Sequence, residues 1–286
     1  MVATTSTVKS LFPDSAQTPA SQAAPDALIF NQAVQCPAIE GDAPYARIPF
    51  VDIAQDAFNL TREGAQINES EPALSELAFR TGKIALLSRV TNEAASYSTA
   101  TNMLADSAQL ALTAKLDRAF LQGLPLPEGD TGENPLPGLL NWDGITTSAT
   151  GITDSLDPLL DLLGTLGEHG AAPTGIIASP ATWFKLLKLK DGDGLPLITR
   201  TVAEASKPTL FGIPVTLNTQ MPADTLLVHD ATQVYASAST ATVAYDSGTY
   251  FSLDSTAVRI TCRIGYGSAH PERFGVITLA AKTTGK

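Results

Sequence analysis

Charge is the scarcest property of this chain: only 16% of its 286 residues are Asp, Glu, Lys or Arg, against about 25% in an average soluble protein. Basic residues are the shorter supply, 18 against 29 acidic ones, for a net charge of -11. A chain so poor in Lys and Arg makes a weak polyanion binder, because affinity for phosphates comes from cations that displace counterions. Sequence-reading DNA or RNA modules are therefore disfavoured. Long apolar runs are also missing, and nothing approaches the ~20 residues needed to span a bilayer. The first thirty or so residues lack a basic start followed by an apolar block, so no secretory signal is read there. Cys36 and Cys262 are the only cysteines; far apart and in no metal-ligand spacing, they establish neither a disulfide framework nor a zinc site. An intracellular folding compartment is the simplest reading, and the glycosylation triplets at Asn59 and Asn68 are read as accidental.

What is present is a hydrophobic fraction of 44%, enough to build a core and to exclude wholesale disorder. The length suits one large domain or two modest ones. Ala, Ser and Thr take the place of the missing charges. Interface cores are depleted in charge relative to the rest of a surface, so this composition suggests a subunit surrounded by others.

Residues 1–28 mix Thr, Ser, Ala, Gln and Pro without a sustained period and read as an extended arm with no core of its own, ordered only where a neighbour holds it. From Tyr45 to Ile53 and from Leu74 to Val90, β-prone residues alternate with charged or small ones, and residues 59–72 between them are polar and rich in turn formers. The pattern predicts a long hairpin. Lacking a sustained apolar stripe, it needs something to pack on, since two-stranded ribbons are marginal in water.

The clearest helix follows over about 98–122. Leu104, Ala108, Leu112, Leu116 and Phe120 form an i, i+4 row, and Gly123 and Pro125 stop it. At 1.5 Å per residue it is about 37 Å long, a strut by globular standards. The Pro- and Gly-rich stretch 124–138 reads as a loop or hinge and as the best internal boundary. Leu156, Leu159, Leu160, Leu163 and Leu166 mark a second helix capped by Asp154 or Ser155. Gly175 to Ala178 is a short buried strand. Ser179 caps a third helix beginning with Pro180, with Trp183, Phe184, Leu186 and Leu187 on its buried face and an end at residues 191–194. Strands are expected at 209–217, 226–229, 241–245, 258–264 and 274–279. In the fourth, Val258, Ile260, Cys262 and Ile264 alternate with Arg259, Thr261 and Arg263, which aims Cys262 into the core as a small hydrophobe.

No catalytic constellation emerges. His169, His229 and His270 are the only histidines, and His229 next to Asp230 on a strand points to the opposite face. There is no Gly-x-Ser-x-Gly elbow and no Walker A motif. Gly265-Tyr266-Gly267 lacks the third glycine and the helix of a dinucleotide site. Asp191-Gly192-Asp193-Gly194 lacks the bidentate twelfth ligand of a calcium loop and reads as a turn. Asp157 and Asp161, one turn apart, read as solvated charge. No catalytic, cofactor or metal site is assigned.

The order arm, long hairpin, strut helix, Pro/Gly hinge, mixed helix and strand unit and closing strands resembles the major capsid proteins of tailed phages with the HK97-type fold. Arg62-Glu63-Gly64-Ala65 with Pro72, Leu77, Lys83 and the Ser88 to Glu93 stretch is similar to that family's E-loop returning to its spine helix. Asn141-Trp142-Asp143-Gly144-Ile145 resembles the small motif after the spine, and Ser179-Pro180-Ala181-Thr182-Trp183, Lys190-Asp191-Gly192 and Gly194-Leu195-Pro196-Leu197 resemble the A-domain helix and turn. Leu210 to Val215, Met221-Pro222, Val258-Arg259-Ile260, Arg263 and Phe274 continue the likeness.

The resemblance implies an α+β fold with an N-terminal arm (1–28), a P-domain part (29–138) carrying the E-loop (about 45–90) and spine helix (about 98–122), an A-domain (139–236), P-domain strands (237–270) and a closing strand (271–286) returning to the A-domain. It implies a non-enzymatic major capsid protein that self-assembles into hexamers and pentamers of an icosahedral virion shell around double-stranded DNA, held without sequence-specific binding. Assembly in the host cytoplasm, a portal partner, scaffold or decoration proteins and no membrane follow from it. Arg62, Glu63, Glu69, Glu71, Arg259 and Arg263 are then the expected intersubunit ion-pairing residues. Lys83 is the only lysine between residues 45 and 90 and lies near the base of the hairpin, so a covalent chainmail through an E-loop lysine is not expected. With only about 30 residues ahead of the fold, any scaffold is expected to be a separate protein or already removed. The alternatives are an encapsulin-type nanocompartment shell, an uncharacterised soluble enzyme, and a binding module.

Overall fold

The computed structural model describes residues 15–52, 62–63, 73–95, 98–126, 128, 131–190, 193–198 and 208–280. Its α+β architecture rests on two sheets, one of seven strands and one of six. The backbone of the first is the pairing of β4 (Ala73–Thr91) with β12 (Ser255–Gly267), antiparallel from Thr81↔Gly265 to Ser255↔Thr91. Two short strands, β10 (Tyr235–Ala238) and β11 (Thr240–Asp246), follow one another along the other edge of β12. The sheet is finished by β1 (Ser15–Pro19) on β11, β2 (Val34–Gln35) on β10 and β3 (Tyr45–Asp52) on the first half of β4.

The second sheet runs β5 (Thr146–Thr147), β13 (Gly275–Thr278), β9 (Thr225–His229), β6 (Gly175–Ala178), β8 (Ile213–Leu217), β7 (Thr209–Leu210). All four residues of β6 are buried, because both faces of this sheet are covered. Ile176 and Ala178 join a cluster with α5 (Asp157–Glu168) and α6 (Pro180–Leu186), while Ile177 and Leu227 face the other core. A continuous apolar run is what such a doubly covered strand requires. On α5 the buried residues are Leu159, Leu162 and Leu166, with Leu160 left 46% exposed. On α6, Ser179 Oγ accepts the Thr182 N–H at 3.2 Å, Trp183 and Leu186 are buried, and Phe184 faces out. Leu160 and Phe184 thus correct the expected buried faces: the helix phase turns each away from its sheet. The third helix also ends at Leu186 rather than reaching residue 191.

Three one-turn helices, α1 (Ala20–Ala23), α2 (Leu28–Asn31) and α3 (Asn92–Ala95), precede the 25-residue helix α4 (Ser98–Gln122), whose environment is graded. Leu116, Ala119, Phe120 and Leu121 are fully buried, Ala108 and Leu112 are half-buried, and Met103 and Leu110 are 67% and 72% exposed. Among the described residues of the predicted stripe, Leu116 and Phe120 are fully in the core and Leu112 packs half-buried against it.

The structure corrects four further readings. Residues 15–28 are not coreless: β1 pairs with β11, and Ala24, Ala27 and Leu28 are buried against the end of α4, with Asp117 Oδ1 accepting the N–H of Leu28 at 2.7 Å. The segment 124–138 is not a free hinge. Its two ends are stapled at Gly123 and Gly138, both at φ 81°, so close that a Cβ on Gly138 would lie 2.2 Å from the Gly123 nitrogen. Tyr266 locks the staple by donating to the Ala119 carbonyl at 2.5 Å and accepting the Gly138 N–H at 3.0 Å. The strand expected over 209–217 is broken into β7 and β8 by a turn at Phe211 and Gly212, both at positive φ. Finally, β10 is a strand that Ala- and Ser-rich residues did not signal. No described helix is long and apolar enough to cross a membrane.

Candidate assembly surfaces

The hairpin of β3 and β4 pairs Tyr45↔Arg80 through Asp52↔Ala73. Its described side chains are half-buried or exposed until Phe79, which is buried where the hairpin enters the sheet and rests on Gly265 and Gly267. Cross-strand contacts outside that point are polar: Arg47 Nη1 lies 3.1 Å from Glu76 Oε1, both well exposed. Arg80 pairs with Glu133 at 2.7 Å and lies over the Tyr45 ring. A concavity of about 440 Å³ opens at this base, walled by Phe79, Trp142, Tyr266 and Pro271 among others.

The register of β4 on β12 assigns the two faces of the first sheet. Ile84, Leu86, Ile260 and Cys262 turn toward α4 and, with Ala108 and Leu112, line an apolar groove of about 270 Å³. Lys83, Leu87 and Arg89 on β4 fall on the opposite face with Arg259 and Arg263 on β12. Arg259 and Leu87, cross-strand partners, are exposed, the latter at 61%. Arg263 is drawn inward, with 17% side-chain exposure; its Nη1 donates to the Thr81 carbonyl and hydroxyl at 3.0 and 2.8 Å. Lys83 Nζ and Arg263 Nε lie 3.7 and 3.5 Å from the single carboxylate of Asp42, itself 72% exposed. Arg62 and Glu63 are exposed, whereas Glu69 and Glu71 lie outside the described residues.

The histidines are accounted for structurally. His229 is fully buried, its Nε2 2.9 Å from Gln32 Oε1, and burial lowers its pKa to about 4. Gly175 leaves room for its ring, since a Cβ there would meet Cε1 at 2.6 Å. Asp230 accepts the N–H and hydroxyl of Thr232 and makes no dyad with it. His270 meets Glu272 at 3.1 Å and His169 faces the Glu272 carbonyl. Cys262 is buried, as expected, and burial pushes its thiol up to about 11, an inert group. Among the described residues no group of His, Cys, Asp and Glu is arranged to hold a metal ion. Two structural residues escaped the sequence reading. Asp117 was hidden on the helix, and its buried carboxyl, raised by desolvation, also accepts from Asn218 at 2.6 Å. Tyr266 was hidden inside a glycine pair.

The sequence profile of the phage capsid family matches residues 36–279, most of the chain and every element from β3 to β13. The chain belongs to the phage capsid family. No curated protein matches it by sequence. In three dimensions it is similar to a chain of Gordonia phage Cozz (TM-score 0.68, 17% identity, 90% of this chain and 87% of that one). It is similar also to a chain of Mycobacterium phage Adephagia (0.62, 15%, 100% of both) and to the capsid of a native GTA particle (0.65, 14%, 88% and 89%). At these identities the likeness concerns the fold alone, and it agrees with the family. The family is structural and non-enzymatic, so this capsid protein self-associates into a shell and its place is the virion.

Proposed function

We propose that this capsid protein forms the hexamers and pentamers of an icosahedral shell that encloses double-stranded DNA, with the HK97-type arrangement of P-domain, A-domain, E-loop and spine helix. The observation that carries the reading is the β3–β4 hairpin, which leaves the sheet at Phe79 and whose described side chains beyond that point are buried in no core. A ribbon without a packing partner needs a neighbour to cover it, and head-to-tail contacts of this kind close into rings when the rotation permits. In domain terms the seven-stranded sheet with α4 corresponds to the P-domain, the six-stranded sheet with α5 and α6 to the A-domain, and β13 is the return into the latter.

Arg62, Glu63 and Arg259, all exposed, are the proposed intersubunit ion-pairing residues of known position, and Glu69 and Glu71 complete the acidic stretch. Arg263 is a further proposed pairing residue, its guanidinium anchored at Nη1 by the Thr81 carbonyl and hydroxyl. Portal, scaffold and decoration proteins are the proposed further partners, the host cytoplasm the place of assembly, and the acidic net charge keeps DNA contained without being gripped. Negative-stain electron microscopy of the purified protein is expected to show closed shells tens of nanometres across; persistent monomers under all conditions would refute the reading. Boiled, reduced samples should run as a single monomer band, because Lys83 sits at the base of the hairpin.

A further inference from the structure

A subunit with a net charge of -11 repels its own copies, so association requires local surfaces of the other sign. The face of the seven-stranded sheet that turns away from α4 is such a surface. Lys83, Arg89, Arg259 and Arg263 share it by register around the exposed Leu87, four cations against the two carboxylates of Asp42 and of Asp246 on β11. A polar depression of about 320 Å³ opens on it, lined by Gln17, Asp42, Lys83, Thr242, Thr261 and Arg263. Segment 139–184, in contrast, carries Asp143, Asp154, Asp157, Asp161 and Glu168 and no Lys or Arg at all.

Two details show that the depression is incompletely satisfied by its own chain. One carboxylate, Asp42, serves both Lys83 and Arg263, and at 3.7 and 3.5 Å it is at the far limit of ion pairing with each. The Arg263 Nε is buried and makes no hydrogen bond. Asp42 comes from an exposed turn at Gly41 (φ 59°) and is itself mostly in solvent, so it can leave at small cost.

We infer that this face receives an acidic surface of a second copy of the chain, and that Asp42 holds the place of the incoming carboxylate on Lys83 and Arg263 until that copy docks. The inference rests on the shell reading above and adds to it the receiving residues and the contact they give up. The apolar Leu87 between Arg89 and Arg259 favours a protein surface over a phosphate backbone, which has no use for it.

The test uses the full-length protein and its assembly, followed by light scattering against subunit concentration and salt. Asp42→Ala is expected to lower the concentration needed for assembly about threefold or more, because the competitor is removed while both cations stay. Lys83→Gln and Arg259→Gln, exposed positions that the fold does not need, are expected to raise it and to flatten its salt dependence. Zero-length carbodiimide coupling, which joins an amine to a carboxylate with loss of water, should link Lys83 to Asp42 within a chain before assembly and to a second chain afterwards. The inference is overturned if wild-type shells form while all three variants assemble at the wild-type concentration, or if Lys83 remains coupled to Asp42 alone in finished shells. It is overturned in favour of a phosphate site if Asp42→Ala increases retention of duplex DNA by unassembled subunits and leaves assembly unchanged. Failure of the wild type to assemble at all would instead bring down the shell reading itself.

Discussion

The six-stranded sheet and the β3–β4 hairpin are built from similar β-prone residues, yet they solve the problem of burial in opposite ways. In β6 every side chain is buried, with α5 and α6 covering one face and the end of α4 the other. Among the hairpin's described side chains only Phe79, at its base, is buried, and the contacts beyond it are of the Arg47–Glu76 kind, exposed and worth ~0–1 kcal/mol. The first region carries its own stability. The second has no such cover among its described side chains. Helix α4 joins the two regimes in one element, buried around Phe120 and exposed around Leu110.

That contrast can be broken at graded strength. The largest effect is expected from Trp183→Ala, which empties a fully covered site next to β6: a loss of ~3–5 kcal/mol, read from urea unfolding of unassembled subunits. Acid should act next. The folded-state pKa of His229, about 4, lies below its ordinary 6.5, so the unfolded chain binds the proton more tightly in that interval. Its contribution is intact above pH 6.5 and falls as the pH drops toward 4, by ~3 kcal/mol at ~1.4 kcal/mol per pKa unit. The loss of stability between pH 7 and 4.5 should be smaller in His229→Gln; an unchanged pH profile would disprove this assignment. Tyr266→Phe leaves the Gly138 N–H and Ala119 carbonyl without their shared partner and should cost ~1–3 kcal/mol. Smallest is Arg47→Ala, with under ~1 kcal/mol on the isolated subunit. If Arg47→Ala proves as damaging as Tyr266→Phe, the hairpin stabilises its own chain and the contrast fails.

Much of this was legible in the chain because the signals are local. Ser179-Pro180 announces a helix start through the hydroxyl and the missing N–H, and the alternation at Cys262 and Ile264 places both inside. The alternation was less informative earlier in the strand, where Val258 and Ile260 are only half-buried, Ile260 because it lines the open groove beside α4. The small residues of β10 and of residues 20–28 gave no period to read. Their burial depends on partners distant in the chain, Gly267 for Tyr235 and Asp117 for Leu28. Arg263 shows the same limit: alternation sets it on the polar face, but Thr81 and Asp42, remote in sequence, decide that it turns inward.

By itself, then, the sequence determined the type of the strongly patterned elements such as the long helix and the strand through Cys262, the scarcity of charge, and the order of parts that led to the family. Those depend on periodicity, capping chemistry and composition, all of which act over a few residues or over the whole chain at once. Only the tertiary structure decided how far each apolar face is covered, that the 124–138 segment is stapled at Gly123 and Gly138, and that Lys83 and Arg89 share one side of the first sheet with Arg259 and Arg263. Strand register and backbone close approach join residues far apart in the chain, and no local pattern encodes their distance.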